Sequence, residues 1–140
     1  DGTNTNRLTP VQVSGLTDVE AVSAGETHSL AVKSDQTVWA WGAGANGELG
    51  DGAATNRLTP VQVTGLTDVV AVSAGGYYSL ALKSDGTLWA WGAGSYGQLG
   101  DGATTDRHMP VQVSGLTNVM AIAAGAYHNL ALKSDGTLWA

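Results

Sequence analysis

"VEAVSAGETHSLAVKSDQTVWAWGAGANGELGDG", Val19 to Gly52, carries three short strands in a row. Val19, Ala21 and Ser23 alternate with Glu20, Val22 and Ala24, a period of two that predicts a strand over Asp18–Gly25, closed by Gly25. "HSLAVKSD", from His28, predicts the next strand, and "TVWAWG", Thr37 to Gly42, its hairpin partner. Between them lies "SDQT", which becomes "SDGT" at Ser84–Thr87 and Ser134–Thr137. Asp-Gly between apolar runs is a strong hairpin signal, because both residues tolerate positive φ, so a tight turn is expected at Ser84–Thr87. A fourth strand is read in "TPVQV", Thr9 to Val13, where a proline is tolerated at a strand start. The stretch after Gly42 is rich in Gly, Asn and Thr and reads as a long connection without helical periodicity.

Outward from this stretch, the chain repeats itself. Asp1–Gly50 aligns without gaps on Asp51–Gly100, with 37 of 50 positions identical, and Asp101–Ala140 follows the same pattern. The organisation is therefore unit 1 over 1–50, unit 2 over 51–100 and a shorter unit 3 over 101–140. Units this similar must share one conformation, and a 50-residue unit of several strands has the size of a β-propeller blade.

Composition agrees. Twenty Gly, five Trp, no Phe and only three Pro in 140 residues, with 43% hydrophobic and 13% charged, describe a folded all-β chain of short strands and tight turns. The formal charge of −6 and six basic residues spaced singly argue against nucleic acid, which needs clustered Lys and Arg. No apolar run is long enough to suggest membrane insertion. With no Cys there is no disulfide, thiolate site or Cys nucleophile. Without an initiator Met, Asp1 reads as a processed end, a boundary or simply the first residue seen.

Gly42, Gly44 and Gly47 stand in the spacing G-x-G-x-x-G directly after a strand. A dinucleotide site requires that loop to open a helix whose N-terminus meets the pyrophosphate. Here Gly50, Gly52 and Pro60 follow, which exclude a helix, and the triplet recurs as Gly92, Gly94 and Gly97. The glycines are read as turn formers, and no cofactor is expected.

The quoted stretch resembles the repeat of the regulator of chromosome condensation family, through Ala24-Gly25 with His28-Ser29, Trp41-Gly42 and Gly47-Glu48-Leu49-Gly50, and again through Ala74-Gly75, Ser79, Trp91-Gly92 and Gly97-Gln98-Leu99-Gly100. Tyr78 replaces the usual His, Asn129 the usual Ser, and Gln36 the turn Gly. The resemblance implies four-stranded antiparallel blades, here a partial propeller of about three, taken from or assembling into a larger, seven-bladed ring. It also implies a non-enzymatic protein: a GTPase exchange factor, a chromatin-bound protein, a protein inhibitor of hydrolases, or a bacterial exported repeat protein. The absence of a basic segment weighs against chromatin, and the uninterrupted period against exchange activity. The near-perfect repetition is similar to the bacterial exported proteins, which implies an extracellular or cell-surface location.

Other residue clusters have structural readings. His28 and His128 occupy equivalent positions, and without further ligands or a nucleophile they are expected to make structural hydrogen bonds. His108 is expected in a surface loop. Asp101, Thr104 and Asp106, like Asp1, Asn4 and Asn6, offer oxygens but lack the spacing of a calcium loop, so turn formation is expected and no metal. Of Trp39/Trp41 and Trp89/Trp91, one ring of each pair should enter the core between blades and the other stay more exposed. Glu20, Val70 and Met120 are read as packing differences between blades.

Positions where the units differ point to function. "ETH" becomes "GYY" and "AYH" at 26–28, 76–78 and 126–128, and "AN" becomes "SY" at 95–96. A constant frame with variable, Tyr-rich loops suits a binding face. Glu26, Thr27, His28, Asn46, Tyr77, Tyr78, Tyr96, Tyr127 and His128 are the candidate partner-binding residues. The expected function is a non-catalytic protein-binding or self-assembly module, its partner a protein or further copies of the chain. A protein inhibitor or exchange-factor-like regulator and a carbohydrate-binding lectin are the alternatives.

Overall fold

A computed structural model describes all residues, 1–140, as eleven strands and no helix, so no helix is long and apolar enough to cross a membrane. The strands are β1 (Val19–Ala24), β2 (His28–Lys33), β3 (Val38–Gly42), β4 (Arg57–Gln62), β5 (Val69–Ala74), β6 (Tyr78–Lys83), β7 (Leu88–Gly92), β8 (Arg107–Gln112), β9 (Val119–Ala124), β10 (Asn129–Lys133) and β11 (Leu138–Trp139). They form three antiparallel sheets, β1-β2-β3-β4, β5-β6-β7-β8 and β9-β10-β11. These are three successive propeller blades. The register repeats with the sequence: Val22 pairs with Ala31, Val72 with Ala81 and Ile122 with Ala131.

The fourth strand of each full blade is supplied by the following unit. In blade 1, Trp39 pairs with Gln62 and Gly42 with Arg57; in blade 2, Trp89 pairs with Gln112 and Gly92 with Arg107. This corrects the expectation of a strand at Thr9–Val13. In this structure that segment pairs with no strand and stays irregular, with Leu8 fully exposed. In its two later copies the strand starts earlier than expected, at Arg57 and Arg107, and so takes in His108, which lies in β8 rather than in a loop.

The hairpin turns also differ from expectation. Only Gln36, Gly86 and Gly136 take positive φ (62°, 78° and 83°); the preceding Asp does not. The Gln36 N–H bonds Lys33 O at 2.8 Å and the Lys33 N–H bonds Thr37 O at 3.0 Å, so the turn starts at Lys33 and its last residue sits in the left-handed region. Asp35 closes the turn by accepting from the Thr37 N–H and hydroxyl.

Burial lies between blades. Leu30, Val32, Val38 and Ala40 of blade 1 pack with Val69, Ala74, Ala81 and Trp91 of blade 2, sealed by Leu49, Val63 and Leu66 from the connections. Leu80, Leu82, Leu88 and Ala90 of blade 2 pack likewise with Val119 and Ala131 of blade 3. Strand alternation divides each blade into a side facing the blade before and a side facing the blade after. Position 19 shows the effect of a covering blade: Val19 is 40% exposed, Val69 1% and Val119 6%. Trp91 is fully buried against blade 1, while Trp41 is partly exposed; Trp39 and Trp89 stay partly exposed and donate to Thr37 and Thr87. Glu20, Val70 and Met120 are exposed in all three blades, so their variation does not reflect packing between blades.

Candidate functional site

The turns after β1, β5 and β9 (residues 25–27, 75–77 and 125–127) gather at one end of the arc with the connections that follow β3 and β7. Gly42 begins the first of those connections at φ 109°; a Cβ there would lie 2.5 Å from Thr27 O, so the chain leaves the strand hard against the neighbouring turn. Gly44 is pinned by its N–H on Asn56 Oδ1 (3.1 Å), and Gly94 by its N–H on Asp106 Oδ1 (2.9 Å). These amides serve the protein's own loop, which agrees with the turn-forming reading of the glycine triplet. Asp51 and Asp101 are similarly engaged: each accepts from a backbone N–H two residues on and pairs with Arg57 or Arg107. Burial pushes the Asp101 carboxyl up, but the Ala103 N–H and the Arg107 guanidinium outweigh it and hold the pKa below its usual value.

Glu48 and Gln98, in sequence only part of the repeat signature, shape this end. Both are buried, and each folds back on its own turn: Glu48 accepts from the Asn46 N–H at 2.7 Å, Gln98 from the Tyr96 N–H at 2.9 Å. They fix the variable residue two positions before them. A Glu or Gln at the same place in both connections was the signal available.

Four of the nine sequence-predicted residues come together. Asn46, Tyr77, Tyr96 and Tyr127 line a cleft of about 280 Å³ with Ser95 and Gln98. Tyr96 of the blade 2 connection and Tyr127 of blade 3 meet edge to face, centroids 5.3 Å apart at 73°, while both remain largely exposed. Glu26 and Thr27 are exposed at the same end, Glu26 beside Gly76. His128 is exposed on the uncovered side of blade 3.

His28 and Tyr78 are corrections: neither is available to a partner. Both lie buried between blades, where side chains at the start of β2 and β6 point toward the next blade. His28 Nε2 meets Ser79 Oγ at 2.9 Å, and that hydroxyl donates to Glu48 O at 2.8 Å. The expectation of structural hydrogen bonding by His28 is met. Its pKa is pushed down to about 4 by burial. The Tyr78 hydroxyl lies within 2.9 Å of Gly125 O, His128 O and Asn129 Oδ1, and burial raises its pKa to about 12.

A larger cavity, about 380 Å³, opens beside blade 3 among Leu99, Leu116, Asn129 and Trp139. At the corresponding place between blades 1 and 2 the Trp91 ring packs on Gly50 and donates to Glu48 O.

The profile of the regulator of chromosome condensation (RCC1) repeat matches residues 35–82 and 85–132, and a second RCC1 repeat profile matches 19–48 and 69–98. Among curated proteins, the ultraviolet-B receptor UVR8 of Arabidopsis thaliana is 47% identical over 51 residues, and the protein pim1 of Schizosaccharomyces pombe 45% over 49. Each match covers 35% of this chain, and 12% and 9% respectively of those relatives. Among solved structures, human WBSCR16 superposes with a TM-score of 0.78 at 29% identity over 86% of this chain, and yeast RCC1 (Prp20), solved with Kap60 bound to it, with 0.78 at 23% over 89%. The chain spans about a third of both structures, 32% in each case.

Proposed function

Because the chain belongs to the RCC1 repeat family, we propose that it is a non-catalytic protein-binding module whose partner docks on the tyrosine-lined end of the arc. One observation carries this reading. Residues at positions where the otherwise near-identical units differ, Tyr77, Tyr96 and Tyr127, converge from two blades on one cleft. Tyr offers large contact area with few rotatable bonds, and aromatic anchors dominate protein interfaces. A photo-crosslinker at Thr27, on the rim, would capture the partner. Tyr96→Ala and Tyr127→Ala should then each weaken binding about tenfold or more, while Thr67→Ala and Thr117→Ala at the opposite end leave it unchanged. Equal affinity in all four variants would reject the assignment, and selective retention on a glycan array would turn it toward a lectin.

A further inference from the structure

The turns of all three blades meet at Gly76, the residue before Tyr77. The Gly76 N–H donates to Ala126 O at 3.4 Å, and a Cβ at Gly76 would lie 3.0 Å from that oxygen and 3.5 Å from Oε2 of Glu26. Positions 26, 76 and 126 are the same place in the three units. A carboxylate of blade 1 is thereby brought beside Tyr77 of blade 2 and Ala126 of blade 3, which both line the tyrosine cleft.

Glu26 is exposed and enters no ion pair. A second carboxylate, Asp106, stands at the root of the loop that carries Tyr96, where its Oδ1 accepts from the Gly94 N–H at 2.9 Å. Both charges are departures from the repeat: Gly76 and Ala126 stand in place of Glu26, and Asn6 and Asn56 in place of Asp106. No Lys or Arg offsets them. Arg57 and Arg107 reach this end but are held by Asp51 and Asp101 at 2.7 and 2.6 Å, and Arg7 is held by Asp1. Lys33, Lys83 and Lys133 close β2, β6 and β10 at the opposite end.

The rings favour the same sign of charge. The face of a phenol ring is electron-rich, so a cation placed over it is attracted. Tyr96 and Tyr127 meet edge to face at 73° and both are largely exposed, so the corner between their two ring faces opens outward. Asn46 and Ser95 add hydrogen-bonding side chains to the walls.

We infer that the cleft takes a cationic side chain, a lysine or arginine from a basic segment of the partner protein, seated against the Tyr96 and Tyr127 rings with Glu26 as counter-ion for a neighbouring basic residue. This rests on the reading of the cleft as a protein-docking site and names the chemistry of what enters it. Charge complementarity decides the occupant: an acidic segment meets only carboxylates and ring faces there, both of which repel it.

Two-dimensional NMR of the intact chain, titrated with acetyl-trilysine amide, acetyl-triarginine amide and acetyl-triglutamate amide, tests the inference. The two basic peptides should shift the ring signals of Tyr77, Tyr96 and Tyr127 and the Gly76 amide, and the acidic peptide none of them. Added salt should weaken the binding. Glu26→Gln and Tyr96→Leu should each weaken it about threefold, whereas Tyr96→Phe, which keeps the ring, and Asp85→Asn, at the opposite end, should leave it unchanged. Shifts spread over every acidic turn, or a loss as large for Asp85→Asn as for Glu26→Gln, would overturn the inference in favour of unspecific attraction to a chain of charge −6. The partner captured at Thr27 separates the two readings. Binding that falls with Tyr96→Ala but ignores both Glu26→Gln and salt would keep the docking cleft and overturn the basic segment; binding indifferent to Tyr96→Ala as well would reject both.

Discussion

The phenolic oxygen of Tyr78 in blade 2 lies 2.7 Å from Oδ1 of Asn129 in blade 3, at the place where His28 Nε2 meets Ser79 Oγ at 2.9 Å one blade earlier. Two substitutions that look independent along the chain are one contact in space. A double-mutant cycle of Tyr78→His and Asn129→Ser should therefore show a coupling of about 0.5–3 kcal/mol, the pair together costing less than the sum of the singles. Denaturant unfolding measures it; additivity within error would show that the two positions do not sense each other.

The depressed pKa of His28 sets a pH dependence of known sign. The folded protein holds the ring neutral down to about pH 4, whereas the unfolded chain protonates it near its ordinary value of 6.5. Its contribution is complete above pH 6.5 and is lost as pH falls to 4, at most about 3 kcal/mol in total. Asp35, Asp85, Asp101 and Asp135 have lowered pKa values too, so their contributions disappear only below the ordinary Asp value of 3.8. Melting temperatures between pH 7 and 4 should fall for the native sequence and stay nearly flat, from a lower start, for His28→Gln. A parallel decline in both would assign the effect elsewhere.

Gln36 sits at φ 62°, where its counterparts Gly86 and Gly136 sit at 78° and 83°. A non-glycine residue pays a conformational cost there, so Gln36→Gly should stabilise the protein by a few tenths to about 1 kcal/mol. Gly86→Gln should do the reverse and more, since a Cβ at Gly86 would lie 3.1 Å from the Asn118 Cα. Destabilisation by Gln36→Gly in urea unfolding would contradict this account of the turn.

Gly47 and Gly97 occupy the same motif position, both with positive φ, in different surroundings. A Cβ at Gly47 would lie 2.7 Å from His108 Cα and 2.8 Å from Arg107 O; at Gly97 it would meet nothing within 4 Å. Gly97→Ala should therefore cost about 1–2 kcal/mol, the backbone strain alone. Gly47→Ala should cost clearly more, because β8 must move. Equal losses in thermal unfolding would mean that β8 does not press on this turn.

Periodicity and repetition determined a great deal before any fold was seen. Val19–Ala24, His28–Lys33 and Val38–Gly42 are strands because alternation and flanking turn residues are local properties, and the fifty-residue repeat then dictates the same strands in every unit. The variable tyrosines were also legible, since a comparison between units needs no coordinates. What stayed hidden was decided by neighbours. Thr9–Val13 and Thr59–Gln62 are nearly the same sequence, yet only the second lies in a strand, because a strand exists only where another edge accepts its hydrogen bonds. Val19 and Val69 differ in exposure for the same reason: a covering blade, not the residue, buries the side chain. Tyr77 and Tyr78, adjacent and identical in type, part company because Tyr77 lies in the turn and Tyr78 begins β6, so one lines the cleft and the other closes the seam between blades. Sequence set the blade; the contact of one blade with the next decided which of its residues are core, which are edge and which stay open to solvent.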